Sequence, residues 1–157
     1  MKKILFILLL TGITFSVSAQ DYAQAIGLRL GSPVGLTYKQ SLSEINAFEA
    51  MVDLDFFESG VTKLSGSAFY LWQKSLNIPD TDISGLSWFA GPGASAGVFS
   101  GKNYTDFNFS INGLIGLEYK FEDIPLALSI DFGPRFYFLN DSGMLWGGAV
   151  TVRYVLK

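Results

Sequence analysis

Ten ionisable side chains sit at alternating positions of strand-like segments, and with them the chain could do chemistry. Arg29, Lys39, Lys120, Arg135 and Arg153 are basic; Glu49, Asp53, Asp55, Glu118 and Asp131 are acidic. Two carboxylates held close together can divide the roles of acid and base, which makes Asp53 with Asp55, or Glu118 with Asp131, the candidate pairs. Five cations share their face, however, and opposite charges taken out of water pair with one another. The expectation is therefore a charge network of Arg29, Lys39, Glu49, Asp53, Glu118, Lys120, Asp131, Arg135 and Arg153, with Arg135 answering Asp131 or Glu118. The chain has no histidine and no cysteine. That excludes Ser-His-Asp catalysis, His-based zinc sites, thiolate chemistry and disulfides. Asp80 and Asp82 are too few ligands for calcium. Gly97 to Asn103 lacks the spacing, the Ser or Thr and the following helix of a phosphate loop. No catalytic residue, metal or cofactor is expected, and the chain is not expected to be an enzyme.

The elements that must hold these charges are strands. Residues 107–121 alternate almost without a break: Phe107, Phe109, Ile111, Ile115, Leu117, Tyr119 and Phe121 on one face, Asn108, Ser110, Asn112, Gly116, Glu118 and Lys120 on the other. Side chains on a strand alternate with period 2, so this is a strand with one apolar and one polar surface. It exceeds the usual globular strand of roughly 5–6 residues and suits one that crosses a bilayer. Seven further segments read the same way: 23–30, 34–40, 47–57, 61–74, 85–99, 126–139 and 144–156. In 61–74 Phe69 and Leu71 fall on the polar face unless a bulge resets the register. The connections are short, and no helical segment intervenes. The predicted fold class is all-β, an antiparallel up-and-down transmembrane barrel of about eight strands.

In that topology the outward aromatics form two belts. Tyr22, Tyr38, Phe48, Tyr70, Trp72, Trp88, Tyr119, Phe121 and Tyr154 lie at one end; Phe56, Phe99, Phe107, Phe109, Phe136, Phe138 and Trp146 lie at the other. Membrane interfaces favour such rings. Gly91, Gly93, Gly97, Gly116, Gly133 and Gly147 fall inward. They are expected to make room for Phe89 and Tyr137, the alternative being a small cavity for an apolar or lipid-like ligand. An interior of about eight strands is just wide enough for side chains to fill it.

Met1-Lys2-Lys3 precedes an apolar run from Ile4 to Leu10, and Val17-Ser18-Ala19 closes the segment. This is the pattern of a secretory signal peptide, residues 1–19, with cleavage after Ala19 and a barrel domain over 20–157. The net charge of −3 at pH 7 argues against nucleic acid, which needs a basic face. Although 49% of residues are hydrophobic, no run beyond residue 19 is long enough for a transmembrane helix.

Gly85-Leu86-Ser87-Trp88-Phe89-Ala90-Gly91-Pro92-Gly93-Ala94, the stretch Ile111 to Phe121 leading into Ile124-Pro125-Leu126, and the ending Arg153-Tyr154 together carry a family likeness. On them the chain resembles the small outer-membrane β-barrel proteins of the Bacteroidetes type, similar in architecture to eight-stranded Gram-negative barrels. The resemblance implies a cell outer-membrane protein and supplies no catalytic residues. The expected partners are outer-membrane lipids and the barrel assembly machinery. The expected function is a non-enzymatic barrel with a closed, charge-paired interior, structural or recognising through its surface. The alternatives are a narrow, porin-like pore, a lipid-binding barrel, or a soluble periplasmic lipocalin-like carrier with its apolar face inward.

Overall fold

The computed structural model describes residues 23–56, 62–76, 84–100, 105–138 and 143–156. The expected signal peptide, Tyr22, Asp80, Asp82 and residues 101–104 of the loop-like stretch lie outside them. Eight strands follow in order: β1 Gln24–Ser32, β2 Val34–Ser41, β3 Asn46–Phe56, β4 Thr62–Ser75, β5 Leu86–Ser100, β6 Thr105–Lys120, β7 Leu126–Tyr137 and β8 Gly143–Leu156. Each pairs antiparallel with its sequence neighbours, and β1 pairs with β8 to close a barrel. Closure leaves every strand two neighbours, so most of the backbone polar groups are met along the sheet itself. No helix among the described residues is long and apolar enough to cross a membrane, which says nothing of crossing by strands.

The register fixes the tilt. From Arg29 the pairing runs through Gly35 and Asp53 to Ser65 of β4. In the other direction it runs through Thr151, Ser129, Glu118 and Ser87 to Ser75 of the same strand. One circuit therefore shifts the register by ten residues. Such a stagger goes with strands inclined about 35–45° to the barrel axis. The end bearing Gln24 and Leu156 is here the base; the end bearing the β1–β2 turn is the rim.

β4 carries no bulge. Its pairing with β5 keeps one register from Thr62↔Ser100 to Ser75↔Ser87, with a gap only at Tyr70 and Leu71, opposite Pro92 and Gly91. The β6–β7 ladder has the same kind of gap, at Gly113 and Leu114 opposite Pro134 and Gly133. Proline has no N–H to donate to the facing carbonyl, which accounts for both. Phe69 and Leu71 do point inward, and with Ala47, Met51, Phe89 and Leu114 they form a buried apolar layer. A smaller layer of Ala25, Ala127 and Val155 lies at the base.

Glycine makes these layers possible. A Cβ on Gly116 would stand 2.5 Å from Cζ of Phe89, and one on Gly27 would stand 2.7 Å from Cγ of Arg153. Phe89 and Arg153 therefore lie flat across glycines of the neighbouring strand. Phe69 lies across Gly93 in the same manner. Among the described residues Tyr137 is not laid across a glycine in this way, since Gly143 opposite it has open space at its Cβ position; its ring packs against Phe99 instead.

Candidate functional site

Among the described residues the barrel buries more polar than apolar side chains. Arg29, Lys39, Glu49, Glu118, Asp131 and Arg153 are all within 2% of complete burial. Strand alternation sends them inward, and closure removes them from water. A charge so placed is stable only if paired and hydrogen-bonded.

At the base the network centres on Glu118. It accepts from Lys39 Nζ at 3.0 Å on both oxygens, from Arg153 Nη1 at 2.9 Å and from Gln73 Nε2 at 2.9 Å. Arg153 also donates to Glu49, and to Ser129 Oγ at 2.6 Å. Lys39 Nζ stands 4.9 Å from the centre of the Phe89 ring, a cation–π contact over the apolar layer. One level outward, Arg29 makes a two-pronged pair with Asp131 at 2.5 and 2.6 Å. This fork-to-fork geometry is the strongest that arginine and a carboxylate form.

Toward the rim the interior becomes a polar relay. Asn112 Nδ2 donates to Ser95 Oγ. Ser95 donates to Ser67 at 2.9 Å, and Ser67 donates to Asp53 Oδ2 at 2.6 Å. The chain crosses β6, β5, β4 and β3 in turn. Beside it Arg135 donates to Asp55 at 3.1 Å and to the Ser32 carbonyl at 2.9 Å. The space left among these groups is a cavity of about 10 Å³ bordered by Arg29, Asp53, Lys63, Ser67, Asn112 and Arg135. That is room for about one water.

Four placements differ from the sequence reading. Arg135 meets Asp55 and not Asp131 or Glu118, because it lies four residues rimward of Asp131 on β7 and Arg29 has already taken that carboxylate. Asp53 is held by the Ser67 hydroxyl, not by an ion pair. Lys120 closes β6 at the base and is only half-buried. Phe99 belongs to the inner face: its ring lies 6.3 Å from buried Tyr137 and 5.5 Å from Lys63 Nζ. The two candidate carboxylate pairs are not brought together for acid–base work, since each member answers a separate donor. Lys63 was missed. It is 2% exposed, donates to Tyr137 Oη at 3.2 Å and stands 4.4 Å from that ring's centre. Its spacing with Ser65 and Ser67 was the available signal.

Apart from the two buried layers, the large apolar side chains are mostly on the outside. Ile26, Leu28, Leu36, Val52, Leu64, Phe107, Ile115, Ile130 and Trp146 are exposed, and they circle the barrel. Phe48, Tyr70, Trp72 and Tyr154 are exposed near the base, and Phe107, Phe109, Phe136, Phe138 and Trp146 near the rim. The lipocalin-like alternative needed this face turned inward around a ligand cavity. Its faces are reversed here, with ion pairs and hydrogen-bonded polar groups turned inward. Among the described residues no cluster of His, Cys, Asp and Glu is placed to hold a metal ion.

No protein-family model matches the chain, and no curated protein matches it. Solved structures do. The N-terminal β-barrel domain of Pseudomonas aeruginosa OprF is 13% identical, with a TM-score of 0.63, over 85% of this chain and 95% of that one. Neisserial surface protein A (NspA) is 12% identical, with a TM-score of 0.46, over 85% of this chain and 93% of that one. At that identity the OprF likeness is one of fold, and the fold is an all-β, closed, antiparallel barrel of eight strands.

Proposed function

We propose that this protein is a non-enzymatic integral barrel of the outer membrane, delivered by a signal peptide cleaved after Ala19. Its interior is a charge-paired plug, and its work is structural or done by recognition at the rim. The observation that carries the reading is the inversion of the two faces: large apolar side chains outside, ion pairs inside. Full burial of one such apolar side chain is worth roughly 1.5–3 kcal/mol. Ten half-exposed ones would therefore gain on the order of 10 kcal/mol in hydrocarbon, as much as the whole stability of a typical domain. The fold shared with the N-terminal β-barrel domain of OprF supports a closed eight-stranded barrel as the frame for this reading. The filled interior favours a plug over a pore.

Two measurements test this. Membranes washed with alkaline carbonate should retain the protein, and its release would remove the integral assignment. The purified barrel in a planar bilayer should give no single-channel steps. Reproducible steps would replace the plug by the narrow pore.

A further inference from the structure

Among the described residues the barrel wall is lowered at the β1–β2 turn on the rim. β1 and β2 turn at Ser32 and Pro33, and the last pair that β8 makes with β1 is Ser32↔Gly148. β8 nevertheless continues to Gly143, paired along its other edge with β7 as far as Tyr137. Across the turn, β3 runs past its last partner in β2, Val34↔Leu54, to Phe56. Among the described residues no strand meets the β1-facing edge of Gly143 to Gly147. Val155 N donates to the Pro125 carbonyl on the β7 side. Backbone groups alternate along an antiparallel strand, so Met144 and Trp146 turn their N–H and C=O toward the gap. Leu145 confirms the opening: alternation puts it on the inner face, yet it is 47% exposed. Behind the gap stands Arg135, its side chain 15% exposed, held by Asp55 and the Ser32 carbonyl.

Hydrocarbon does not tolerate such an edge, because nothing in it can satisfy the backbone groups. Resting on the membrane reading above, we propose that the outer hydrocarbon boundary dips to the β1–β2 turn on this side. Lipid headgroups and their water fill the gap. The donors on offer, the amides of Met144 and Trp146 with the Arg135 guanidinium behind them, suit phosphate oxygens. Trp146 stands at the margin, where an indole belongs at a membrane interface.

The opposite wall is taller. Met144 pairs with Phe136, and Phe136 with Ile111. With strands tilted at about 40°, each strand crossed from β8 back toward β6 drops about 3 Å along the axis. Phe109, two residues rimward of Ile111, therefore stands at about the height of Met144. It lies within a complete stretch of wall, paired with Ala96 of β5, and its ring lies 6.3 Å from that of Phe138. There the boundary can stay further out, so two positions of equal height meet different solvents. A second copy cannot cover the β8 edge: a two-fold along the membrane normal would leave both β8 strands running the same way, at twice the tilt.

The chain has no cysteine, so single thiols report cleanly. Met144→Cys, Phe109→Cys and Leu28→Cys, in the full chain folded into phosphatidylcholine vesicles, are labelled with an environment-sensitive bimane and titrated with iodide. Each variant is first shown to fold by its heat-shifted gel band. The proposal expects polar emission at position 144, with iodide quenching several-fold stronger than at 109, and apolar, shielded emission at 28. Apolar emission at 144 equal to that at 109 overturns it, since the edge would then lie in hydrocarbon. Equal, polar emission at both positions overturns it in favour of a flat boundary. Polar emission at 144 that iodide cannot reach overturns it in favour of an added polypeptide strand. Iodide-accessible, polar emission at 28 means that the membrane reading itself has failed.

Discussion

Glu118 holds the base of the interior together, with Lys39, Arg153 and Gln73 all on one carboxylate. Glu118→Ala takes from Lys39 the carboxylate it pairs with and leaves Arg153 to Glu49, away from water. Breaking a buried pair in this way costs about 3–5 kcal/mol, so the urea midpoint for unfolding in detergent should fall well below that of the parent. Arg135→Ala should cost distinctly less, because Arg135 and Asp55 sit at the rim with side chains 15% and 8% exposed. If the order of the two variants is reversed, the enclosed network is not what stabilises the lumen. The Arg29–Asp131 pair offers a different test, since it is buried and, among the described residues, makes only its own two-pronged contact. The double change Arg29→Met with Asp131→Leu should be close to neutral or stabilising, whereas either single change should be costly. A double variant as unstable as its worse parent would show that the pair cannot be replaced by packing.

At the scale of the elements, alternation made the strands and their faces legible. All eight strands stand close to their expected limits, and the two faces fall as expected because a closed sheet cannot turn a single residue without turning its neighbours. Strand β4 was harder, since Phe69 and Leu71 interrupt its polar face. Only the structure shows the reason: they fill the space left by glycines and small residues on β5 and β3, which no local pattern announces. Lys63 was lost with that uncertainty. The partners of Arg135 and Asp53 were illegible for another reason. Contacts across a lumen depend on the stagger of the whole barrel, and Arg135 meets Asp55 eighty residues away. The glycine packing can be checked directly. Gly116→Leu should strongly destabilise the barrel by colliding with Phe89 and with the Ile130 carbonyl oxygen, both 2.5 Å from the added Cβ, so adding Phe89→Ala should recover only part of the loss, as read by the same urea titration. No recovery in the double variant would mean that Gly116 serves something other than the Phe89 ring.

For the molecule as a whole, the central claim is that a closed barrel wears its apolar face outward because hydrocarbon is its solvent. The paired lumen and the exposed aromatics near base and rim are consequences of that one inversion. The direct measurement is to isolate washed outer membranes and run the protein on an SDS gel with and without boiling. A protein found in that fraction, whose unboiled band migrates differently and shifts on heating, is the result expected of a closed barrel resident in the membrane. A band found only in the soluble periplasmic fraction, with no shift on heating, would contradict it.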